Sequence, residues 1–319
     1  INDVLYQNLR VSVDSLGRTV EGRPRYQVRA GNQTPGLGDV IDITNTDEGR
    51  SYNLTAQIQR PFRDGWDFSL AYTFSRSEDV NPVTSSQAIS NWRFNLTQDN
   101  PNDPGLSTSD FDIPHRVVAS ASYRLPFFRR AATDLSLVYI GQSGQPYSYR
   151  YNDDVNFDGS FGNDLLYVPA NANEIRFEPS TAQQTITPAQ SWENLNAFIE
   201  SDECLASNRG TVLERNECRE PWSNRFDFRL AQNLSPFGGH NVQLTVDVLN
   251  IGNLLNSEWG RSEFISNQAF PLLSLASANN GPNAEGRRVY RAFAPRSDVT
   301  TISSLDSRYQ IQLGLRYGF

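Results

Sequence analysis

The sequence predicts an all-β fold, an antiparallel transmembrane β-barrel with short turns at one end and long loops at the other. Two-faced strands recur along the chain, their polar and apolar faces differ sharply, and the connections between them are alternately short and long. Because successive side chains of a strand point to opposite faces, only one face of each barrel strand has to meet lipid. The strands alone also fit a soluble antiparallel sandwich. The alternation of short and long connections between the strands favours the barrel over the sandwich.

The last strand alternates without a break from Arg308 to Phe319. Arginine, glutamine and glycine form one face of this strand. The opposite face is apolar with aromatic residues toward its ends, as expected for side chains that meet lipid and its two borders. This apolar face consists of Tyr309, Ile311, Leu313, Leu315, Tyr317 and Phe319.

Six earlier segments repeat the same two-faced pattern. In "GWDFSLAYTFS", for example, Trp66, Phe68 and Leu70 alternate with Asp67 and Ser69. Alternation of apolar and polar residues over several positions indicates a strand with one polar face. We therefore predict eight strands, near residues 2–13, 38–61, 65–78, 113–125, 133–149, 221–234, 240–256 and 306–319.

The connections between these strands alternate in length. Three short links, "RPFRDG" at 60–65, "LPFFRRAA" at 125–132 and "SPFGGH" at 235–240, contain a Pro-Phe pair followed by charge or glycine, which is typical of tight hairpin turns. Long polar stretches lie near 77–112, 150–220 and 257–305, and loops of that length are uncommon in compact soluble domains. Bacterial outer-membrane barrels have short periplasmic turns and long extracellular loops. We therefore expect a periplasmic C-terminus and extracellular long loops.

Composition limits the possible classes of protein further. The 319 residues carry a formal net charge of -8, which argues against nucleic-acid binding because such surfaces are basic. No run of residues approaches the roughly 20 apolar residues of a membrane helix, so none is predicted. The chain contains no methionine. We therefore expect a processed or partial chain.

Several longer stretches resemble a known family. They include "TNTDEGRSYNLTAQIQRPF", "FDIPHRVVASASYRLPF", "NDDVNFDGSFGNDLLYVP" and "LTVDVLNIGNLLNSEWG". Together they resemble, over nearly the whole chain and in family order, the C-terminal part of the barrel of TonB-dependent receptors of the Oar-like kind. The last strand with its terminal Phe319 also resembles the signal by which the barrel assembly machinery recognises outer-membrane proteins.

The resemblance implies a barrel of about 22 strands with a plugged lumen. Residues 1–319 would then be the C-terminal portion of one barrel domain, and the plug would not be part of this chain. An open sheet cannot sit in lipid, because its edge N–H and C=O groups would be unsatisfied. The remaining strands must therefore come from the same longer chain or from another chain.

The resemblance implies active uptake of a substrate across the outer membrane, energised by the TonB complex acting on the plug. The alternative is a structural or assembly component that anchors in outer-membrane lipid and docks partner proteins through its loops. We predict no enzyme, because His115 and His240 have no nucleophile or metal-ligand set near them in sequence. The sequence does not indicate which substrate would be taken up, and no cofactor is required.

One loop carries a pattern of oxygen-bearing side chains. In "DDVNFDGSFGND", oxygen ligands at every second position precede a glycine, as at the start of a calcium loop. Leu165 stands where such a loop has its bidentate Glu, and Asp164 comes one residue earlier. A structural calcium ion and an Asx-rich surface turn therefore both remain open. The candidate ligands are Asp154, Asn156, Asp158, Ser160 and Asp164.

The two cysteines, Cys204 and Cys218, are close in sequence and lie in a polar stretch. In an exported protein such a pair indicates a disulfide that closes a short loop. Just before them, Thr187 and Pro188 open a segment with apolar residues at helical spacing, which predicts a short helix packed within its loop.

Overall fold

Strands dominate the computed structural model, which describes residues 3–18, 23–28, 39–128, 131–180, 186–234, 240–276 and 288–319. The strands are β1 (Asp3–Asn8), β2 (Val11–Arg18), β3 (Pro24–Val28), β4 (Ile41–Thr46), β5 (Arg50–Arg63), β6 (Trp66–Asp79), β7 (Ser107–Thr108), β8 (His115–Phe128), β9 (Ala131–Gln142), β10 (Pro146–Tyr151), β11 (Arg176–Phe177), β12 (Cys218–Arg219), β13 (Ser223–Leu234), β14 (Asn241–Leu249), β15 (Glu263–Phe264), β16 (Ala269–Leu273), β17 (Val289–Tyr290), β18 (Thr301–Ile302) and β19 (Gln310–Gly318). The helices are α1 (Ala88–Arg93), α2 (Pro188–Ser201), α3 (Glu203–Ser207), α4 (Ile251–Leu255) and α5 (Ser304–Ser307), with 3-10 turns at Ala172–Glu174 and Ser266–Gln268.

One large sheet contains the seven long strands, in the spatial order β19-β14-β13-β9-β8-β6-β5, with the short β7 beside β6. Every pair of neighbours in it is antiparallel. We call the end of this sheet that carries the long connections the loop end, and the opposite end the turn end. The sheet is not closed, since within the described residues β5 and β19 each pair with one neighbouring strand.

The two faces of the sheet have the predicted chemistry. Large apolar side chains stand exposed on one face, including Leu54, Leu70, Leu313 and Leu315. The other face carries polar side chains that bond across strands, as where Thr55 Oγ1 and Thr73 Oγ1 are 2.9 Å apart. A sheet with one exposed apolar face and one polar face fits a barrel wall with lipid outside and water inside.

The turn end closes one hairpin with two residues. Arg63 pairs with Trp66, so Asp64 and Gly65 alone form the turn between β5 and β6. Both have positive φ, at 54° and 87°. A type I′ turn needs φ > 0 at both positions, and Asp-Gly is among its preferred sequences. The other two predicted turns lie partly outside the described residues.

The N-terminal strand prediction was wrong, because residues 2–13 do not form one strand of the large sheet. The Asn8 side chain accepts a hydrogen bond from the Arg10 backbone N–H at 3.1 Å, and the chain turns there. The strands on either side then pair outside the large sheet, β1 with β4 and β2 with β3. The predicted eight long strands are therefore seven.

Four other predicted strands are shorter than expected. The one predicted at 306–319 begins only at Gln310, because Ser304–Ser307 form α5. The strand predicted at 38–61 is interrupted between β4 and β5, where the Glu48 N–H bonds to Thr46 Oγ1 at 3.3 Å. The strand predicted at 133–149 is interrupted after Gln142, and β10 joins another sheet with β12 and β16. The strand predicted at 240–256 ends at Leu249, because Asn250 has a left-handed backbone and opens α4.

The described parts of the long connections fold into a structure that we call the cap, comprising residues 80–114, 143–180, 186–222, 250–276 and 288–309. Its buried core includes Tyr149, Leu166, Leu195 and Phe198 from different elements. Tyr290, in β17 of the last connection, is buried in it as well. These loops are polar in composition but bury a core, of which sequence periodicity indicated only the helical segment that begins at Pro188. Among the described residues no helix is long and apolar enough to cross a membrane.

The predicted helix is confirmed as α2. The Thr187 side chain accepts from Gln190 N at 3.2 Å, and the Gln190 side chain accepts from Thr187 N at 2.9 Å. Such a capping box satisfies two N–H groups that a helix start leaves free. Pro188 is tolerated in the first turn because its missing N–H has no helical partner there. The helix buries Leu195 and Ile199 in the cap core, as predicted for packing within the loop.

Candidate functional site

A cavity of about 440 Å³ lies where the three long connections of the cap meet. One wall comes from the segment after β6 and from α1, another from β10 and the loop that follows it, and a third from the 3-10 turn before β16. Its volume falls in the range of small-ligand sites. The lining residues are Asn81, Pro82, Thr84, Ser90, Asn91, Phe94, Asn95, Leu96, Asp110, Arg150, Phe161, Gly162, Asn267 and Ala269.

Two aromatic side chains of the cavity are exposed. Phe94, directly after α1, is 65% exposed, and Phe161 is 62% exposed. The α1 segment is held by Asn91, which accepts from Ser85 N and donates to Ser85 O, both at 2.9 Å. Phe94 therefore presents its apolar surface next to a hydrogen-bonded helical segment. Phe161 adds apolar surface from the loop after β10.

Arg150 supplies the cationic group of the cavity. Its Nη1 donates to the Tyr151 carbonyl at 3.0 Å. Burial lowers the pKa of this guanidinium, because the charged form is partly removed from water. The Arg150 guanidinium lies against the backbone of Gly162, which has a φ of +77°. A residue with a Cβ at this position would overlap Arg150 Nη1.

Asp110 is the acidic group of the same cavity. Its Oδ1 accepts from Asn216 Nδ2 at 2.7 Å. Burial raises the pKa of the Asp110 carboxyl, and the Asn216 hydrogen bond and the charge of Arg215 oppose that shift. Arg215 itself forms an ion pair with Asp79, at 2.7 Å.

The predicted cation-loop residues lie together in the cap as a hydrogen-bonded turn. Asp154 Oδ2 accepts from Gly159 N at 2.9 Å, and Asp158 Oδ1 accepts from Ser160 N at 2.7 Å. Asp164 Oδ2 accepts from a backbone N–H of the same loop at 2.8 Å. The carboxylates thus organise the loop backbone through Asx-type hydrogen bonds, but Asn156, Asp158 and Asp164 are buried, so the loop is not the surface turn that the alternative interpretation predicted. These contacts do not test whether a cation also binds.

The carboxyl groups of this loop are held away from water. Burial raises the pKa of Asp154 to about 6, and the charge of Asp158 adds to the shift. Burial also raises the pKa of Asp158 and of Asp164. Within the described ranges, no three His, Cys, Asp or Glu side chains converge closely enough to hold a metal ion by themselves. Any cation here would need amide or backbone oxygens as well.

Arginines surround the same loop. Arg23 Nη1 lies 3.6 Å from Asp164 Oδ1 and opposes the rise of its pKa. The guanidiniums of Arg25 and Arg288 lie 4.6 and 4.8 Å from the Phe157 ring. These contacts link the loop to an N-terminal segment and to the last long connection. They are long-range in sequence, so the loop pattern did not indicate them.

The predicted disulfide between Cys204 and Cys218 is formed, with 5.6 Å between the two Cα atoms. It joins α3 to β12 inside the cap. Cys218 is buried in the cap core beside Leu205 and Leu213. The bridge therefore fixes one end of the longest connection.

The predicted C-terminal strand forms the open edge of the large sheet as β19. Its apolar side chains are exposed, with Leu313 at 76% and the terminal Phe319 at 97%. On the opposite face Gln312 pairs with Asp247 of β14. The apolar face of β19 is therefore exposed along the whole strand, and Phe319 continues it to the last residue of the chain.

An outer membrane beta barrel domain model matches residues 7–290. The chain belongs to this family. The match covers six of the seven long strands and most of the cap, while β19 lies beyond it, so most of the cap is part of the family's fold. Membership indicates the bacterial outer membrane as the location. Comparison with curated proteins and with solved structures gave no match.

The sequence indicated some parts of the site and missed others. The disulfide, the helix and the acidic loop each have a short local pattern. Arg150 and Asp110 come from different connections and meet only because the cap folds. Arg150 lies at the start of the long stretch predicted at 150–220, and no sequence pattern indicated that this arginine would face a cavity.

Proposed function

We propose that this chain forms part of the barrel of a TonB-dependent outer-membrane receptor that takes up a substrate across the outer membrane. The observation that supports this most is the cavity of the cap, which three long connections build together on an outer-membrane sheet. The cap would be extracellular and the turn end, with the C-terminus, periplasmic. The cap would capture the substrate, and the polar face of the sheet would line a wet passage.

Further strands must complete the wall, because β5 and β19 each leave one edge unpaired within the described residues. The ladder between β1 and β4 suggests where one of them lies. Asp3 pairs with Thr46, and continuing this antiparallel register would lay any residues that precede Ile1 along β5. Other strands of the same longer chain, or of another chain, would then close the barrel at about 22 strands. The plug that TonB pulls would lie outside these 319 residues.

The last strand would also act during assembly. Its exposed apolar face and terminal aromatic fit recognition by the barrel assembly machinery, which this proposal assigns to Tyr309, Ile311, Leu313, Leu315, Tyr317 and Phe319. Outer-membrane lipid would then cover the same face. The chain would carry out no covalent chemistry and bind no nucleic acid, in keeping with its net charge of -8.

The acidic loop would bind a structural calcium ion. The carboxylates of Asp158 and Asp164 are buried and that of Asp154 is partly buried. Desolvation destabilises the charged form of all three, and a divalent cation would relieve this. Asn163 adds a second reason, since its Oδ1 is buried without a hydrogen-bond partner while its Nδ2 donates to Asp158 Oδ2 at 2.7 Å. Asn156 and Ser160 would complete the oxygen set. The ion would hold the loop whose tip, Phe161 and Gly162, lines the cavity.

A structural or assembly component of the outer membrane is the second candidate. The observation in its favour is that the cap has its own core and still exposes apolar side chains such as Leu255, at 72%, and Trp259, at 57%. Exposed apolar patches can mark surfaces for partners. In this case the loops would dock proteins and no solute would pass.

Depletion of solutes by whole cells distinguishes the two functions. Cells with and without the complete protein are incubated in a defined mixture of small solutes, with and without a protonophore that removes the energy for TonB. The receptor proposal predicts at least one solute whose depletion needs both the protein and the energised inner membrane. Equal depletion in all four cultures would favour the anchor.

A further inference from the structure

Arg150 differs from two other arginines of the cap, Arg215 and Arg219, because it forms no ion pair with a described residue. Arg215 and Arg219 form ion pairs with Asp79 and Asp112 at 2.7 and 2.8 Å. Arg150 has no carboxylate within ion-pair distance in the part of the chain that the structure describes, and the only bond from its guanidinium goes to a neighbouring carbonyl. A desolvated cation without an anion is costly, and a guanidinium can bind a carboxylate with two parallel bonds. The cavity thus offers an anion site.

Asp110 gives the cavity a second charged group of opposite sign. Arg150 and Asp110 form no ion pair with each other, so the two charges do not neutralise each other. The Asp110 carboxylate is bonded to the neutral amide of Asn216. It can therefore accept a hydrogen bond from a cationic or N–H group that enters the cavity.

The exposed rings of Phe94 and Phe161 add apolar surface beside these two charges. A ligand that satisfies all three features carries a carboxylate, a separate ammonium group and an apolar side chain. We propose that the cavity binds a short zwitterionic peptide, with its C-terminal carboxylate on Arg150 and its amino end toward Asp110. A volume of about 440 Å³ suits a ligand of that size. As a substrate class this inference rests on the proposed receptor function, but as a binding site it stands alone.

The test is calorimetric titration of the complete protein, purified in detergent, with the tripeptide Ala-Phe-Ala, its C-terminal amide and its N-acetyl form. We expect the free tripeptide to bind at least about tenfold more tightly than either blocked form, because each loses a charge-assisted contact. In Arg150→Gln the preference for the free acid over the amide should disappear. In Asp110→Asn the preference for the free amine over the acetylated form should disappear, while the acid preference remains.

Arg209→Gln is the matched control, since Arg209 is a cap arginine that donates to Asn196 at 2.8 Å and is not among the residues that line the cavity. This variant should keep both preferences. Thermal unfolding of each variant shows whether the cap is intact, and Arg150→Lys, which keeps the charge, should retain part of the acid preference. Equal binding of the three peptides, or no binding by a folded wild type, would overturn the inference. Binding without cellular uptake would leave the site in place and refute the transport function alone.

Discussion

A charge placed on the apolar face of β19 should destabilise the protein strongly. Leu313 is the best position, because it is 76% exposed and lies between Ile311 and Leu315 on the face we assign to lipid. At the midplane of a bilayer an arginine on the lipid face of a barrel costs about 2–4 kcal/mol. Leu313→Arg should therefore lower the free energy of unfolding of the complete protein by about that amount.

Gln312→Arg is the matched control on the adjacent residue of the same strand. Its side chain lies on the opposite face, and Gln312 pairs with Asp247, so the new charge would meet water and a carboxylate. We expect a change in free energy of unfolding of at most about 0.5 kcal/mol. Reversible urea unfolding in phospholipid vesicles, followed by tryptophan fluorescence, measures both variants. Equal effects of the two substitutions would refute the assignment of the faces.

Four further predictions concern the cap and assembly. Replacing Cys204 and Cys218 by serine should destabilise the cap by about 3 kcal/mol, the value that the chain-entropy model gives for a loop of this length. Hydrogen exchange of the cap amides measures the change, and unchanged exchange would contradict the prediction. Calcium at millimolar concentration should raise the unfolding temperature of the cap in the wild type but not in Asp158→Asn; an equal shift in both would exclude the loop as the site. Burial raises the pKa of Asp110 in the folded protein above its ordinary value of 3.8, so ionising this carboxyl costs more in the folded than in the unfolded state. The wild type should therefore lose stability relative to Asp110→Asn as the pH rises from 4 to 8. Parallel pH profiles of the two unfolding temperatures would argue against this. Deleting Phe319, which is 97% exposed, should reduce the amount assembled in the outer membrane but not the unfolding temperature of the assembled protein; normal assembly would refute its role as a signal.

The long strands could be predicted because lipid imposes a strict alternation on them. Strand β6 was predicted at 65–78 and is observed at Trp66–Asp79, and β13 was predicted at 221–234 and is observed at Ser223–Leu234. Breaks within alternating segments were missed, since a side chain such as Asn8 turns the chain without interrupting the pattern of polar and apolar residues. Local propensity alone does not reveal where a strand leaves its sheet.

The cap was predictable only where a local motif exists. Thr187 and Pro188 indicated the start of α2, and Cys204 and Cys218 indicated the bridge. The rest of the cap core is assembled from short elements, so no segment of it other than α2 has a readable period. The cavity depends on that assembly, and Arg150 therefore could not be singled out from the sequence.

The central claim is that this sheet is part of a larger outer-membrane receptor. The most direct test is the mass of the native polypeptide in isolated outer membranes, measured under denaturing conditions and detected through a peptide of this chain. The account predicts a species far above 35.9 kDa, with a plug and further strands upstream. A species near 35.9 kDa would contradict it, and a separate chain would then have to supply the strands that cover β5 and β19.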